Sequence, residues 1–326
     1  MSERAPSAAS ASRGQAIPRR WTLHGLNNGL IFAATYHLVS LLPRPVSYAI
    51  GHAGMWLAWR LMPDTRLAIA DNLRALFPAE SAPQLERRAL TTLRSYARDV
   101  IDFLRALETP PADAHRLFEA RPQDLDLFNR LLADGRGLIL VTGHYGNWEV
   151  GSVFMRHVFG TGLTIVAMAE ASDDVNRIRR KIRERLGTET IEVRKSFDTA
   201  LQIRRRLAEN GIVAMLMDRH LGRDRVDVEF LGRRAGFLSA PAVMGYLTGA
   251  PLVPCFIERL GPGRFSVQPG TPIVVSRDIK REQAIQEATQ QFANELERRV
   301  RQHPEQWYHF YRYWKAQNDS YEELLG

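Results

Sequence analysis

The 326-residue chain has one cysteine, Cys255, which excludes an internal disulfide framework and any zinc site built from several thiolates. Lysine is also scarce. Positions 181, 195, 280 and 315 hold four of the 44 basic residues, and the other 40 are arginine. Missing too are a phosphate-cradling P-loop, a complete dinucleotide glycine fingerprint, a His-Glu-x-x-His zinc helix and a Gly-x-Ser-x-Gly nucleophile elbow. The chain therefore lacks the usual signals for nucleotide hydrolysis, dinucleotide redox chemistry, zinc peptidase activity and serine hydrolysis. Neither a metal ligand set nor a resident cofactor is expected.

The composition is that of a chain able to bury a core, 45% hydrophobic and 25% charged, with a net charge of +8. The positive balance favours anionic partners such as phosphate groups, acidic protein faces or an anionic membrane leaflet. Arginine's planar fork suits bidentate phosphate and carboxylate contacts, although a compositional bias would give the same excess. Nucleic acid fits poorly. A strand-binding surface interleaves basic residues with exposed aromatics, whereas the aromatics here cluster toward the termini.

Residues 1–20 are rich in Ala, Ser, Pro and Arg, contain one acid (Glu3), and read as a disordered basic tail. From Leu23 to Leu42 no residue is charged, a length that matches the roughly 20 residues needed to cross a bilayer core. A second apolar stretch, 46–62, is interrupted by Arg60 and carries Trp56 and Trp59 near one end, where amphipathic aromatics sit at a lipid interface. Residues 21–62 are thus expected to form a membrane anchor or interfacial helices, with ordinary buried helices as the other reading. Arg4, Arg13, Arg19 and Arg20 ahead of this region place the N-terminus in the cytoplasm by the positive-inside rule. A hairpin through the membrane returns the remainder to that side.

The remaining residues, 63–326, change character part-way. Residues 64–107 repeat Leu, Ile and Ala at three- and four-residue spacings, punctuated by Pro78 and Pro83, and predict an amphipathic helical pair. After Gly135, short apolar runs at 137–142, 163–168, 212–217 and 252–257 alternate with helical segments. Such runs are strands buried on both faces, so the fold class is α/β, a mostly parallel central sheet flanked by helices behind an N-terminal helical, membrane-associating region. The stretch 177–206 holds eleven basic and four acidic residues. It reads as a solvated helix face or as a docking surface for lipid head groups or an acidic carrier. A helix over about 281–302 precedes the aromatic run EQWYHFYRYW.

The segment that offers chemistry is GLILVTGHYGNWEVGSVF, 137–154. His144 follows a buried strand's carboxyl end, where α/β folds open their ligand crevice. The flanking Gly143 and Gly146 permit a tight turn. Glu149, five residues on, can return beneath the imidazole, accept the proton of one ring nitrogen and fix the tautomer, leaving the other nitrogen as a base. With no side-chain nucleophile nearby, the natural nucleophile is a substrate hydroxyl that His144 deprotonates for attack on an activated acyl group. A second cluster closes the strand at 212–217. Asp218, Arg219 and His220 are aimed at the same crevice, and Arg223, Arg225, Arg233 and Arg234 follow in a glycine-punctuated loop. They read as a surface ion-pair set or as a cradle for phosphate or an oxyanion. Cys255 reads as a small core residue. His220 is the one alternative base, since His309 and the remaining histidines lack a paired acid at a telling spacing.

Together, TRLAIADNLRALFP (65–78), GHYGNWE (143–149), DRHLGRDRVDVEFLGRRAGF (218–237), TGAPLVPCF (248–256) and HPEQWYHFYRYW (303–314) resemble the bacterial lipid A biosynthesis (lauroyl/myristoyl) acyltransferase family. That family lies within the lysophospholipid and glycerolipid acyltransferase superfamily. The resemblance implies an enzyme at the cytoplasmic face of the inner membrane, with 63–326 as its acyltransferase domain. It would move a fatty acyl chain from an acyl-carrier-protein or coenzyme A thioester to a glycolipid hydroxyl, a lipid A precursor first. A phosphatidylinositol mannoside, a lysophospholipid, an aminolipid, or a non-catalytic membrane-bound role are the alternatives. By the motif, His144 is the base and Glu149 its partner, and Tyr145, Gly146, Asn147, Asp218, Arg219, His220 and Arg223 line the substrate site.

Overall fold

The computed structural model describes Tyr36 and residues 38–168, 173–193, 198–220, 222 and 224–316. Seven strands form the central sheet in the order β1-β9-β8-β2-β5-β3-β4. They are β1 (Phe118–Glu119), β2 (Leu138–Thr142), β3 (Thr164–Ala167), β4 (Glu189–Glu192), β5 (Ile212–Leu216), β8 (Leu252–Gly261) and β9 (Arg264–Pro269). Within this sheet β8 and β9 pair antiparallel, and the other neighbours run parallel. β6 (Val226–Phe230) and β7 (Arg233–Phe237) form a separate antiparallel hairpin. This hairpin replaces the arginine-rich loop expected at 223–236.

The apolar runs are continuous because the sheet is covered on both faces. Ile139, Val141, Val213 and Met215 pack with Phe292 and Leu296 of α8 (Arg281–Gln302). Their alternates Leu138, Leu140, Ile212 and Val253 pack with Ile101, Leu104 and Leu107 of α3 (Ala82–Glu108). Alternation by one residue thus sends successive side chains into two different cores. The predicted helical pair appears as α2 (Pro63–Leu73) and α3, which enclose a third cluster of Ile69, Leu73, Leu85, Ala89 and Leu93. The other helices that matter below are α6 (Asp198–Ala208) and α7 (Ala240–Thr248), with α4 (Pro122–Ala133) and α5 (Asp173–Arg185) preceding them in the chain.

The basic tail and most of the charge-free stretch fall outside the described residues. The second apolar stretch forms α1 (Arg44–Leu61). No helix among the described residues is long and apolar enough to cross a membrane. One side of α1 meets α3: the Tyr48 hydroxyl donates to Asp102 at 2.6 Å, and Arg44 lies 3.3 Å from the same carboxylate. Val46, Ile50, Leu57 and Leu61, at helical spacing, remain exposed on α1. Trp56 is also exposed and lies beneath the Arg60 guanidinium at 5.1 Å.

Candidate active site

β2 and β5 are parallel neighbours in the register Thr142↔Leu216, and Met217 N–H donates to the Thr142 carbonyl at 2.8 Å. Two residues beyond each paired end stand His144 and Asp218, so equal advance along adjacent strands brings them together. His144 Nδ1 lies 2.7 Å from Asp218 Oδ1, and the His144 backbone N–H donates to Asp218 Oδ2 at 2.8 Å. The spacing predicts Glu149 at this ring nitrogen; the structure puts Asp218 there. Glu149 sits half-buried in the 3₁₀ turn Trp148–Val150. Asp218, expected as a lining group, is thus the carboxylate at the His144 ring.

A third member comes from a distant part of the chain. His309 Nε2 lies 2.8 Å from Asp218 Oδ2, and the Tyr313 hydroxyl donates to the Asp218 carbonyl at 2.8 Å. The missing local acid, which led sequence reasoning to pass over His309, is supplied across the fold. The C-terminal segment adds a short antiparallel pairing to the loop that carries His144: Tyr308 N–H donates to the His144 carbonyl at 2.7 Å and Gly146 N–H to the Gln306 carbonyl at 2.9 Å. Gly146 adopts φ +63°, and a Cβ there would come 2.2 Å from the Ile257 carbonyl oxygen, so this position requires glycine.

Asp218 and His309 are fully enclosed, while the His144 side chain keeps 18% of its surface open. One imidazole is therefore reachable and the other is not. Burial, and next the Arg219 guanidinium, push the His144 imidazole down from its ordinary range, against the pull of Asp218. Burial likewise pushes His309 down to about 3. Burial alone would raise the Asp218 carboxyl, but its imidazole partners hold it well below the usual carboxylate range. At neutral pH the set is two neutral imidazoles on one carboxylate. Hydrogen bonding to that carboxylate places the His144 proton on Nδ1 and leaves Nε2 as the basic lone pair. Three metal-capable atoms of this trio lie within 4.8 Å of one another. The separations of 2.7 and 2.8 Å are hydrogen-bond lengths, so each imidazole is hydrogen-bonded to the one carboxylate.

The expected lining residues divide. Tyr145 is fully buried, with its hydroxyl donating to Glu258 at 3.1 Å, and Glu258 in turn meets Arg299 at 3.3 Å. Asn147 is buried, donating through Nδ2 to the Asp99 carbonyl at 2.8 Å. With Gly146 pressed on β8, these three are loop supports rather than pocket lining. Arg219 spans the C-terminal segment, donating to the Tyr308 carbonyl at 3.3 Å and lying 5.1 Å over the Tyr311 ring. His220 is buried beside it, and Arg223 lies outside the described residues. Arg225 and Arg234 both meet Asp227 within the hairpin, and Arg233 lies over Trp314. Trp148, absent from the expected set, stands edge-on to His144 with centroids 5.4 Å apart. Cys255 is a core residue, its thiol pushed up to about 12 by burial.

A second buried charge group supports the loop from below. Arg259 on β8 pairs with Asp99 of α3 at 2.9 Å and also donates to Ser95. The Tyr308 hydroxyl donates to Asp99 and lies 3.0 Å from the Ser95 hydroxyl. Burial raises the Asp99 carboxyl to about 6 despite Arg259. A cavity of about 830 Å³ beside the β6–β7 hairpin, α7 and α8 is lined by Arg225, Asp227, Val243, Ile285 and Gln286 among others, and does not include His144, Asp218 or His309.

Parallel strands that deliver a base and its carboxylate to one crevice, with no side-chain nucleophile between them, suit transfer of an activated group to a substrate hydroxyl. Sequence comparison agrees with this class: the family model for bacterial lipid A biosynthesis acyltransferases matches residues 17–316. The chain belongs to that family and is an acyltransferase. It is similar to the phosphatidylinositol mannoside acyltransferase of Mycolicibacterium smegmatis, 29% identical over 254 residues that cover 75% of this chain and 80% of the relative. The phosphatidylinositol mannoside acyltransferase of Mycobacterium tuberculosis is 28% identical over 296 residues, covering 81% of this chain and 88% of that protein.

Proposed function

We propose that the protein is a membrane-associated O-acyltransferase that esterifies a glycolipid hydroxyl, with a lipid A precursor as the leading acceptor and an acyl-carrier-protein or coenzyme A thioester as donor. The observation that carries this reading is the His144–Asp218 contact at 2.7 Å on a partly open imidazole. In the proposed reaction Nε2 of His144 takes the acceptor's hydroxyl proton as the oxygen attacks the thioester carbonyl carbon. The tetrahedral intermediate collapses with cleavage of the C–S bond, and the imidazolium returns the proton to the departing thiolate. Asp218 fixes the tautomer and stabilises the transient cation, and the sequence has no side-chain nucleophile at the relay that would give an acyl-enzyme. Glu149 remains a candidate catalytic group of the same loop.

The exposed apolar stripe of α1, with Trp56 and Arg60 at its end, supports attachment to a lipid surface from the side on which the acceptor resides. This fits residence at the cytoplasmic face of the inner membrane. The relatives' names favour a second acceptor, a phosphatidylinositol mannoside. Both readings are separated by one assay. The purified full chain is incubated with dodecanoyl-coenzyme A or the corresponding acyl-carrier-protein and with vesicles carrying either lipid, and new esters are read by mass spectrometry. A new ester on the lipid A precursor that disappears in His144→Ala supports the leading reading. Ester on the mannoside alone moves the acceptor to the second, and full transfer by His144→Ala overturns the mechanism.

A further inference from the structure

We propose that His309 is a positioning residue for acyl transfer: it shares the Asp218 carboxylate with His144 and thereby sets how strongly that carboxylate holds the base's proton. The inference rests on the reading of His144 as base only for its consequence on rate. Three observations support it. His309 Nε2 reaches the carboxylate oxygen that also accepts the His144 backbone N–H, so one oxygen takes two donors while the other takes the His144 ring. The His309 side chain has no exposed surface and is packed between Trp307 at 4.8 Å and Tyr313 at 4.5 Å, which fixes its ring orientation. Its Nδ1 is buried with no hydrogen-bond partner among the described residues, so the ring's polar contact is the one that Nε2 makes with Asp218.

The chemistry is a competition for one anion. A carboxylate that accepts more hydrogen bonds is a weaker acceptor for each, and it stabilises an imidazolium at His144 less. Removing the His309 donor returns negative charge to Asp218, so the His144 cation is favoured and its titration moves to higher pH. The other titratable or charged groups facing the pair are Arg219, from the same turn as Asp218, and Tyr311 and Tyr313, from the same segment as His309. None of them is altered by the substitution.

The test titrates the His144 ring nitrogens by ¹⁵N NMR in the full chain and, separately, follows the pH dependence of thiol release from dodecanoyl-coenzyme A. His309→Phe keeps a ring without the proton, and His309→Asn sets its amide near Nδ1, short of Asp218. His309→Gln carries an N–H close to the place of Nε2. The expected pattern is an upward shift of His144 by about one pH unit in the Phe and Asn variants, with Gln near the wild type. The acid limb of kcat/KM shifts with it, giving about tenfold slower turnover there. A purely structural role would follow ring size and leave Phe like the wild type. His144 titrating as in the wild type in folded Phe or Asn variants, or moving downward, overturns the proposal. Should Phe fail to fold, the Asn and Gln pair decides alone. The NMR shift is read without catalysis, so its loss is distinguishable from failure of the acyl-transfer mechanism, which His144→Ala tests.

Discussion

Two aspartates lie beneath the same C-terminal segment, both nearly inaccessible, and their carboxyl groups are driven in opposite directions. Asp218 is held well below the ordinary range and Asp99 is raised to about 6. Burial raises both; the donors decide the outcome. Asp218 faces two imidazole nitrogens and a backbone N–H. Asp99 meets one guanidinium and a tyrosine hydroxyl and lies close to Asp102, whose charge raises it further. The first arrangement holds an anion ready to stabilise a cation that comes and goes, and the second joins α3, β8 and the C-terminal segment.

The contrast is broken most directly at the relay. Asp218→Asn should lower kcat about 10³-fold with the fold kept, because an amide cannot hold the same tautomer or stabilise the imidazolium. Rates of thiol release and circular dichroism check this. A loss below tenfold would mean that the carboxylate is not the base's partner.

Asp99→Ala should instead act on stability, by about 3–5 kcal/mol in urea unfolding, because it strands the buried Arg259. An unchanged urea midpoint would remove Asp99 from the support of the loop.

The two regions also predict opposite pH slopes. A raised carboxyl binds its proton more tightly when folded. The Asp99 contribution is therefore complete below about pH 3.9 and is lost as pH rises toward 6. His309, lowered to about 3, is neutral when folded and charged when unfolded. Its contribution is present above about pH 6.5 and is lost as pH falls toward 3. Asp99→Asn should steepen the rise of stability between pH 4 and 6, and His309→Gln should flatten it, each by on the order of 2–3 kcal/mol. Parallel slopes in the two variants would erase the distinction. The smallest effect is expected from Tyr308→Phe, which removes one donor from Asp99 and should cost about 1–2 kcal/mol of stability while leaving Asp218 untouched.

Much of this was legible in the residues. The apolar runs at 137–142 and 212–217 gave β2 and β5 because strands covered on both faces need no polar alternation. His144 stood out by its place after such a strand. The carboxylate at its Nδ1 is hidden in the sequence because Asp218 is near only through the β2–β5 register, across 74 residues of chain. A usable signal existed: each run is followed, two residues past its paired end, by a polar residue. Asp99 and Asp102 were hidden inside an amphipathic helix, although Ser95, Asp99 and Asp102 share one face and so mark a polar seam toward the core. His309 has no paired acid near it in sequence, because the acid it meets, Asp218, is 91 residues away along the chain. The charge-rich stretch at 177–206 is partly neutralised from outside by Glu108 and Glu209, which meet Arg185 and Arg205 respectively, a cancellation that a charge count of the stretch does not reveal.

Every strand among the described residues ends before residue 270, yet the cluster around Asp218 is completed only by residues 306–313. In chain order the strands therefore come first, and His144 gains the neighbours that orient it only once α8 and the segment behind it have packed against the sheet. A chain stopped before residue 306 would keep these strands and lose the contacts that seat the imidazole at the mouth of the crevice.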